Sequence, residues 1–177
     1  MKINNTDKTT RKLGAGMVVA MWVIVLGLLT MFFQSREEKQ YNPNQAVSTD
    51  FLLEGVRELV LERNRWGHYV ANGEINGQEV TFMLDTGATD VSIPLSVADK
   101  LGLEKGRALI YQTANGPAKV YASILDQVSL GAISLNNIRA SINPNMHQQE
   151  VLLGMSFLKH LEFTQRGNTL SLRQYPR

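Results

Sequence analysis

The sequence predicts a mostly-β domain, a small barrel or sandwich with one or two short helices, standing behind a single membrane-spanning helix. Three observations carry this. An uncharged apolar stretch occupies residues 13–33. Beyond residue 57 the chain breaks into short alternating or apolar segments, punctuated by Asn-Gly and Gly turns that favour strands over helices. The whole chain, at 177 residues, is too short for more than one ordinary domain.

Composition narrows the chemistry. There is no cysteine, so there is no disulfide framework, no thiolate nucleophile and no Cys-based zinc site. The formal net charge of +2 is unevenly spread. Residues 1–12 hold four Lys/Arg against one Asp, residues 34–65 hold five against six, and residues 66–177 hold nine against nine. The basic character therefore belongs to the N-terminal tail. A body with no net charge argues against electrostatic nucleic-acid binding.

Residues 13–33 are long enough, at about 1.5 Å per residue, to span a hydrocarbon core of roughly 30 Å as a helix. They end in the bulky Met31, Phe32 and Phe33 with no small-x-small site nearby, which favours an uncleaved anchor over a signal peptide. Lys2, Lys8, Arg11 and Lys12 precede the span, whereas Arg36 and Lys39 follow it beside Glu37 and Glu38. That asymmetry places the N-terminus in the cytoplasm and everything after Gln34 outside it. The expected organisation is a cytoplasmic tail at 1–12, a transmembrane anchor at 13–33, a linker at 34–57 and a folded domain at 58–177.

Within the body, residues 50–61 carry apolar residues compatible with a short helix, but residues 58–63 alternate as a strand does, and the strand is favoured there. Asn64-Arg-Trp-Gly67 reads as a turn into a strand at 68–75. Asn76-Gly77 is the strongest hairpin signal, returning through 78–84 with Val80, Phe82 and Leu84 on one face. After a short strand at 91–93, Pro94 opens a helix that Gly102 closes. A second hairpin turns at Asn115-Gly116. Long strands at 118–130 and 133–142 follow around Gly131. Residues 151–154 form an apolar run before a brief helix at 155–160, and a last hairpin turns at Gly167-Asn168.

The chemistry concentrates at Leu84-Asp85-Thr86-Gly87-Ala88-Thr89. A carboxylate directly after a buried strand is held rigidly. Gly87 allows a sharp turn and close approach of a ligand to the backbone. An Asp-x-Gly turn alone is a weak signal, and its context strengthens it. His68, His147 and His160 show no metal-ligand spacing, and there is no nucleophile elbow, Walker loop or dinucleotide fingerprint.

Together with Leu152-Leu153-Gly154 downstream and the intervening hairpin, this stretch resembles the retroviral-type, or retropepsin-like, aspartic proteases, in particular a bacterial membrane-anchored branch that Gly67-His68-Tyr69 and Ile75-Asn76-Gly77 also resemble. The resemblance covers residues 58–177. It implies a small closed barrel forming one lobe. It also implies a catalytic dyad of Asp85 from each of two chains, because the chain has one such loop where two-lobed pepsin-type enzymes have two. Asp85 would be the catalytic residue. Thr86, Gly87, Ala88 and Thr89 would form the active-site loop, Thr86 tying the two loops together. Tyr111, Thr113, Ala114, Asn115 and Gly116 would form a flap, and Leu152, Leu153 and Gly154 would support the loop from beneath. No metal or cofactor is implied.

The implied partners are a polypeptide substrate, a second copy of the chain and the lipid bilayer. The implied location is the bacterial inner membrane with the protease domain in the periplasm. The sequence departs from viral relatives in carrying Thr89 after Ala88 and Met155 after Gly154. Asp90 remains, with no evident arginine partner. An alternative reading of the same residues is a membrane-tethered β-domain that binds peptide strands without cutting them, since fold alone does not decide activity.

Overall fold

The computed structural model describes residues 5–113 and 116–176, with side chains from residue 16 onward except that of Thr113. The chain divides into two compact units, Met1–Lys39 and Gln40–Arg177. Helix α1, Asn5–Tyr41, supplies the first unit. Its stretch Gly16–Tyr41 is long and apolar enough to cross a membrane.

The second unit is built from strands. β1 (Thr49–Phe51), β2 (Arg57–Glu62), β3 (Val70–Ile75), β4 (Gln78–Leu84) and β5 (Val91–Pro94) lead to helix α2 (Leu95–Lys100). β6 (Ala108–Thr113), β7 (Gly116–Leu130), β8 (Ile133–Asn143) and β9 (Val151–Leu153) follow. Helix α3 (Met155–Leu158) then precedes the terminal hairpin of β10 (Glu162–Arg166) and β11 (Thr169–Gln174).

Six strands close on themselves in the order β3, β4, β9, β5, β8, β7 and back to β3. Closure rests on the pairing of Glu74 with Ser129 and Ile75 with Val128. The domain is thus a small closed barrel of the expected type, with β6 lying outside the ring and paired to β7. Closing a sheet removes the exposed edges that would otherwise invite pairing with other chains. The interior is filled by Phe82, Ile75, Ile93, Leu125, Leu130, Ile142, Val151, Leu153 and Phe157, all fully buried. Each such side chain contributes about 1.5–3 kcal/mol through removal of apolar surface from water.

Local chemistry sets the turns. Asn76 and Gly77 both adopt positive φ, 51° and 77°, as the two-residue turn between β3 and β4 requires. Pro94 caps α2 at its start, and Gly102 lies just beyond its end.

Two features go beyond local patterning. β2 does not form a hairpin with β3; only Arg63 and Tyr69 bridge there. Instead β2 enters a second, four-stranded sheet between β1 and β11. There Leu59 and Leu61 pair with Leu172 and Leu170, a burial of apolar surface from opposite ends of the domain sequence. Within residues 34–57, the expected linker, α1 continues to Tyr41, and the rest carries β1 and the buried Asn42 and Asn44. The Asn44 amide donates to the carbonyls of Glu62 and Val70 and accepts from the Glu62 N–H, so it substitutes for a missing strand neighbour.

Candidate active site

The site begins where β4 and β9 run parallel, with Leu84 opposite Leu153. The end of this pair fixes Asp85: its N–H donates to the Leu153 carbonyl at 3.2 Å. The carboxylate Oδ1 accepts from the Gly87 N–H at 2.8 Å, and the Ala88 N–H donates to the Asp85 carbonyl at 3.2 Å. A carboxylate that accepts from the backbone two residues on is locked in orientation without being covered. Asp85 is half-buried, while Thr86, Gly87 and Thr89 are exposed.

The loop rests on the segment around Gly154. Met155 N–H donates to the Ala88 carbonyl at 2.8 Å, and Ser156 N–H donates to the Thr89 carbonyl at 2.9 Å. Gly154 is buried against the Ala88 and Asp90 carbonyls so closely that a side chain there has no room. The structure therefore brings Leu152, Leu153 and Gly154 together with residues 85–89.

A cleft of about 940 Å³ opens above the loop. Asp85, Gly87, Ala88 and Thr89 line one side, and Tyr111, Gln112, Gly116, Pro117 and Ala118 of the β6–β7 hairpin line another. The hairpin register pairs Thr113 with Gly116, whose φ of 100° makes the turn. Ala114 and Asn115, expected at the flap tip, lie outside the described residues. Leu152 also reaches the cleft.

The sequence pattern showed Asp90 but not Arg139, Ser156 or the loop at 145–148. Asp90, buried to 6% exposure, accepts from Tyr111 Oη at 2.5 Å and from Arg139 Nη2 at 3.0 Å. The arginine partner that the sequence did not reveal is thus Arg139. β5 and β8 run parallel with Val91 opposite Ala140, which sets the preceding residues Asp90 and Arg139 side by side. Ser156 Oγ accepts from the Val91 N–H at 3.0 Å and donates to the Arg139 carbonyl at 2.8 Å, stitching β5, β8 and α3 under the loop. The loop carrying Asn145, Met146, His147 and Gln148 forms a further wall.

Electrostatics follow from this packing. The Tyr111 phenol is held above its ordinary value, chiefly because it donates to Asp90, then by burial and the Asp90 charge, with Arg139 and Arg107 opposing. Among the described residues, no three His, Asp or Glu side chains gather where they could share a metal ion.

Comparison with known proteins places this geometry. Residues 71–160 match the protein family described as gag-polyprotein putative aspartyl protease. The crystal structure of a retropepsin-like aspartic protease from Rickettsia conorii is 32% identical, with a TM-score of 0.58 over 73% of this chain and 96% of that one. The chain belongs to the retropepsin-like aspartic protease family. Two curated proteins are also similar to this family member. An uncharacterised protein of Sinorhizobium sp. is 31% identical over 88% of this chain and 72% of its own length. An uncharacterised protein of Rickettsia prowazekii is 29% identical over 81% of this chain and 64% of its own. The matched segment of the retropepsin-like domain contains the Asp85 loop, the hairpin over it and the Gly154 support.

Proposed function

We propose that the chain is a membrane-anchored aspartic endopeptidase that hydrolyses peptide bonds as a homodimer. The observation that carries this reading is Asp85 itself. Its carboxylate is fixed by Gly87, its backbone is fixed by Leu153, and it faces a cleft that a β-hairpin overhangs.

One chain supplies one such loop, so the reaction needs a second Asp85 across a two-fold axis. Two carboxylates facing each other across the axis cannot both carry charge at small cost, and the pair holds one proton between them. The ionised member takes a proton from a water lying between them, and that water attacks the scissile carbonyl. The protonated member donates to the carbonyl oxygen as charge develops there. Collapse of the tetrahedral intermediate, with a proton passed to the leaving amine, returns the pair to its starting state. No covalent acyl-enzyme forms. Thr86 is exposed beside Asp85 in the single chain, a position from which its hydroxyl can tie one loop to the other. The β6–β7 hairpin would close over an extended substrate, add strand-like hydrogen bonds and exclude water.

The apolar segment within α1 and the basic residues before it support an anchor in the bacterial inner membrane, with the N-terminus cytoplasmic and the protease domain periplasmic. Holding two chains in one bilayer raises their effective concentration and favours the dimer.

The test is cleavage of a peptide library by the full-length protein in detergent, beside its Asp85→Asn form and with a zinc chelator. Cleavage by the wild type that Asp85→Asn abolishes and the chelator leaves intact is expected. Undiminished cleavage by Asp85→Asn, or activity lost to the chelator and restored by metal, contradicts the reading. A wild type that binds peptides and cuts none favours the tethered binding domain instead.

A further inference from the structure

Among the described residues, β6 is the one strand of the larger sheet outside the closed ring, and its main-chain hydrogen bonds go to β7. Nothing in that pairing fixes the height of the hairpin above the Asp85 loop. A side chain does. Tyr111, on β6, donates from its hydroxyl to Asp90 Oδ2 at 2.5 Å, and Asp90 lies five residues after Asp85, immediately before β5. Both residues line the cleft that contains Asp85.

The other carboxylate oxygen is not spare. Arg139 Nη2, on β8, occupies Asp90 Oδ1 at 3.0 Å. Asp90 is 6% exposed, whereas the Arg139 side chain is 66% exposed. The arginine therefore reaches in from the outer surface to compensate a charge that burial would otherwise penalise. Pairing with a cation makes the bond from Tyr111 charge-assisted, and such bonds are shorter and roughly twice as strong as neutral ones. Asp90 sits on packed surroundings: its backbone carbonyl lies against Gly154, and the neighbouring Val91 N–H donates to Ser156.

We propose that Tyr111, Asp90 and Arg139 form a latch that sets the flap hairpin at a fixed height over the catalytic loop. In this latch Arg139 conditions the acceptor, Asp90 is the fixed post and Tyr111 carries the hairpin. All three are positioning residues. The latch rests on the protease reading only for its effect on catalysis; its mechanical part stands on the geometry. With it intact, the hairpin presents a formed cleft to an extended peptide. With it broken, the hairpin samples several heights, and substrate must select the competent one, which weakens apparent binding in proportion to the lost population.

The test exploits the absence of cysteine, which makes site-specific spin labelling clean. Labels are placed at Ile110→Cys, an exposed position on β6, and Gln165→Cys, an exposed position on β10, in the full-length chain diluted with unlabelled protein. The interlabel distance is measured with Tyr111 intact and with Tyr111→Phe, which removes one oxygen and keeps the ring. A single narrow distribution that broadens or shifts in Tyr111→Phe supports the latch. Identical distributions overturn it.

Asp90→Asn is the second variant. It keeps the shape of the post but removes its charge, and it is expected to broaden the distribution as well. A distribution as narrow as wild type there overturns the role of the Arg139-paired carboxylate. On a cleaved peptide, Tyr111→Phe is expected to raise KM about tenfold, the scale of one charge-assisted hydrogen bond, with a smaller fall in kcat. A fall in kcat with KM unmoved contradicts the latch. If the wild type cuts no peptide, the protease reading fails while the distance measurement still decides the latch.

Discussion

Gly154 lies directly beneath Ala88: a Cβ on Gly154 would come within 2.6 Å of the Ala88 carbonyl oxygen and closer still to that of Asp90. Both neighbours are backbone, so neither can swing aside. The glycine is needed here for its lack of a side chain, since its φ of −91° is open to any residue. Gly154→Ala is therefore expected to destabilise the domain by about 1–3 kcal/mol, the usual cost of forcing atoms into a filled site. It should also reduce activity beyond that loss by displacing the loop that carries Asp85. Chemical denaturation together with peptide cleavage checks both effects; a variant of wild-type stability and activity contradicts the close approach.

Ser156 is buried and uses its hydroxyl twice, accepting from Val91 N–H and donating to the Arg139 carbonyl. Ser156→Ala leaves the Val91 donor without a partner in a site closed to solvent. The expected destabilisation is about 1–3 kcal/mol, the cost of a buried unsatisfied polar group. Ser156→Thr should recover part of it. Equilibrium unfolding of the three proteins makes the comparison.

The Tyr111 phenol supplies a pH signature. Its ordinary value is 10.0, and the folded protein holds it higher, first through the bond to Asp90. A group that binds its proton more tightly when folded contributes stability that is full below the unfolded value and lost as pH rises through the folded one. Wild type should therefore lose more stability than Tyr111→Phe as pH is raised from neutral to about 11. Tyr175, also raised through its bond to Glu162, is common to both proteins and cancels. Parallel stability curves would contradict the Tyr111–Asp90 bond.

Topology is tested by protease added to spheroplasts. With the N-terminus cytoplasmic, the folded domain is exposed, and an antibody to the C-terminal strands should lose its full-length band before the inner membrane is broken. Protection of the whole chain until lysis contradicts the assignment.

What the sequence made legible was local. The Asn76-Gly77 turn, the helix opened by Pro94 and the long β7–β8 hairpin around Gly131 each depend on a few adjacent residues, and each stands where patterning put it. The Asp85 loop was legible for the same reason, since Leu84 to Thr89 carry their own geometry. The partners of β2 were not, because Leu59 and Leu61 meet Leu172 and Leu170 only after the whole barrel has intervened. Asp90 and Arg139 are 49 residues apart, and only the parallel register of β5 and β8 joins them. Asn42 and Asn44 looked like polar linker; the Asn42 amide donates to the Asn72 side chain and the Asn44 amide stands in for a strand neighbour, roles composition does not reveal.

The central claim, that one active site needs Asp85 from two chains, is tested most directly by mixing. Wild type and Asp85→Asn are co-reconstituted in equal amounts at fixed total protein, under conditions that allow subunit exchange, and the rate of peptide cleavage is compared with that of wild type alone. If both aspartates are required, only dimers of two wild-type chains cut, and activity falls to about one quarter. Activity of about one half would mean that each chain works independently, and would contradict the shared dyad.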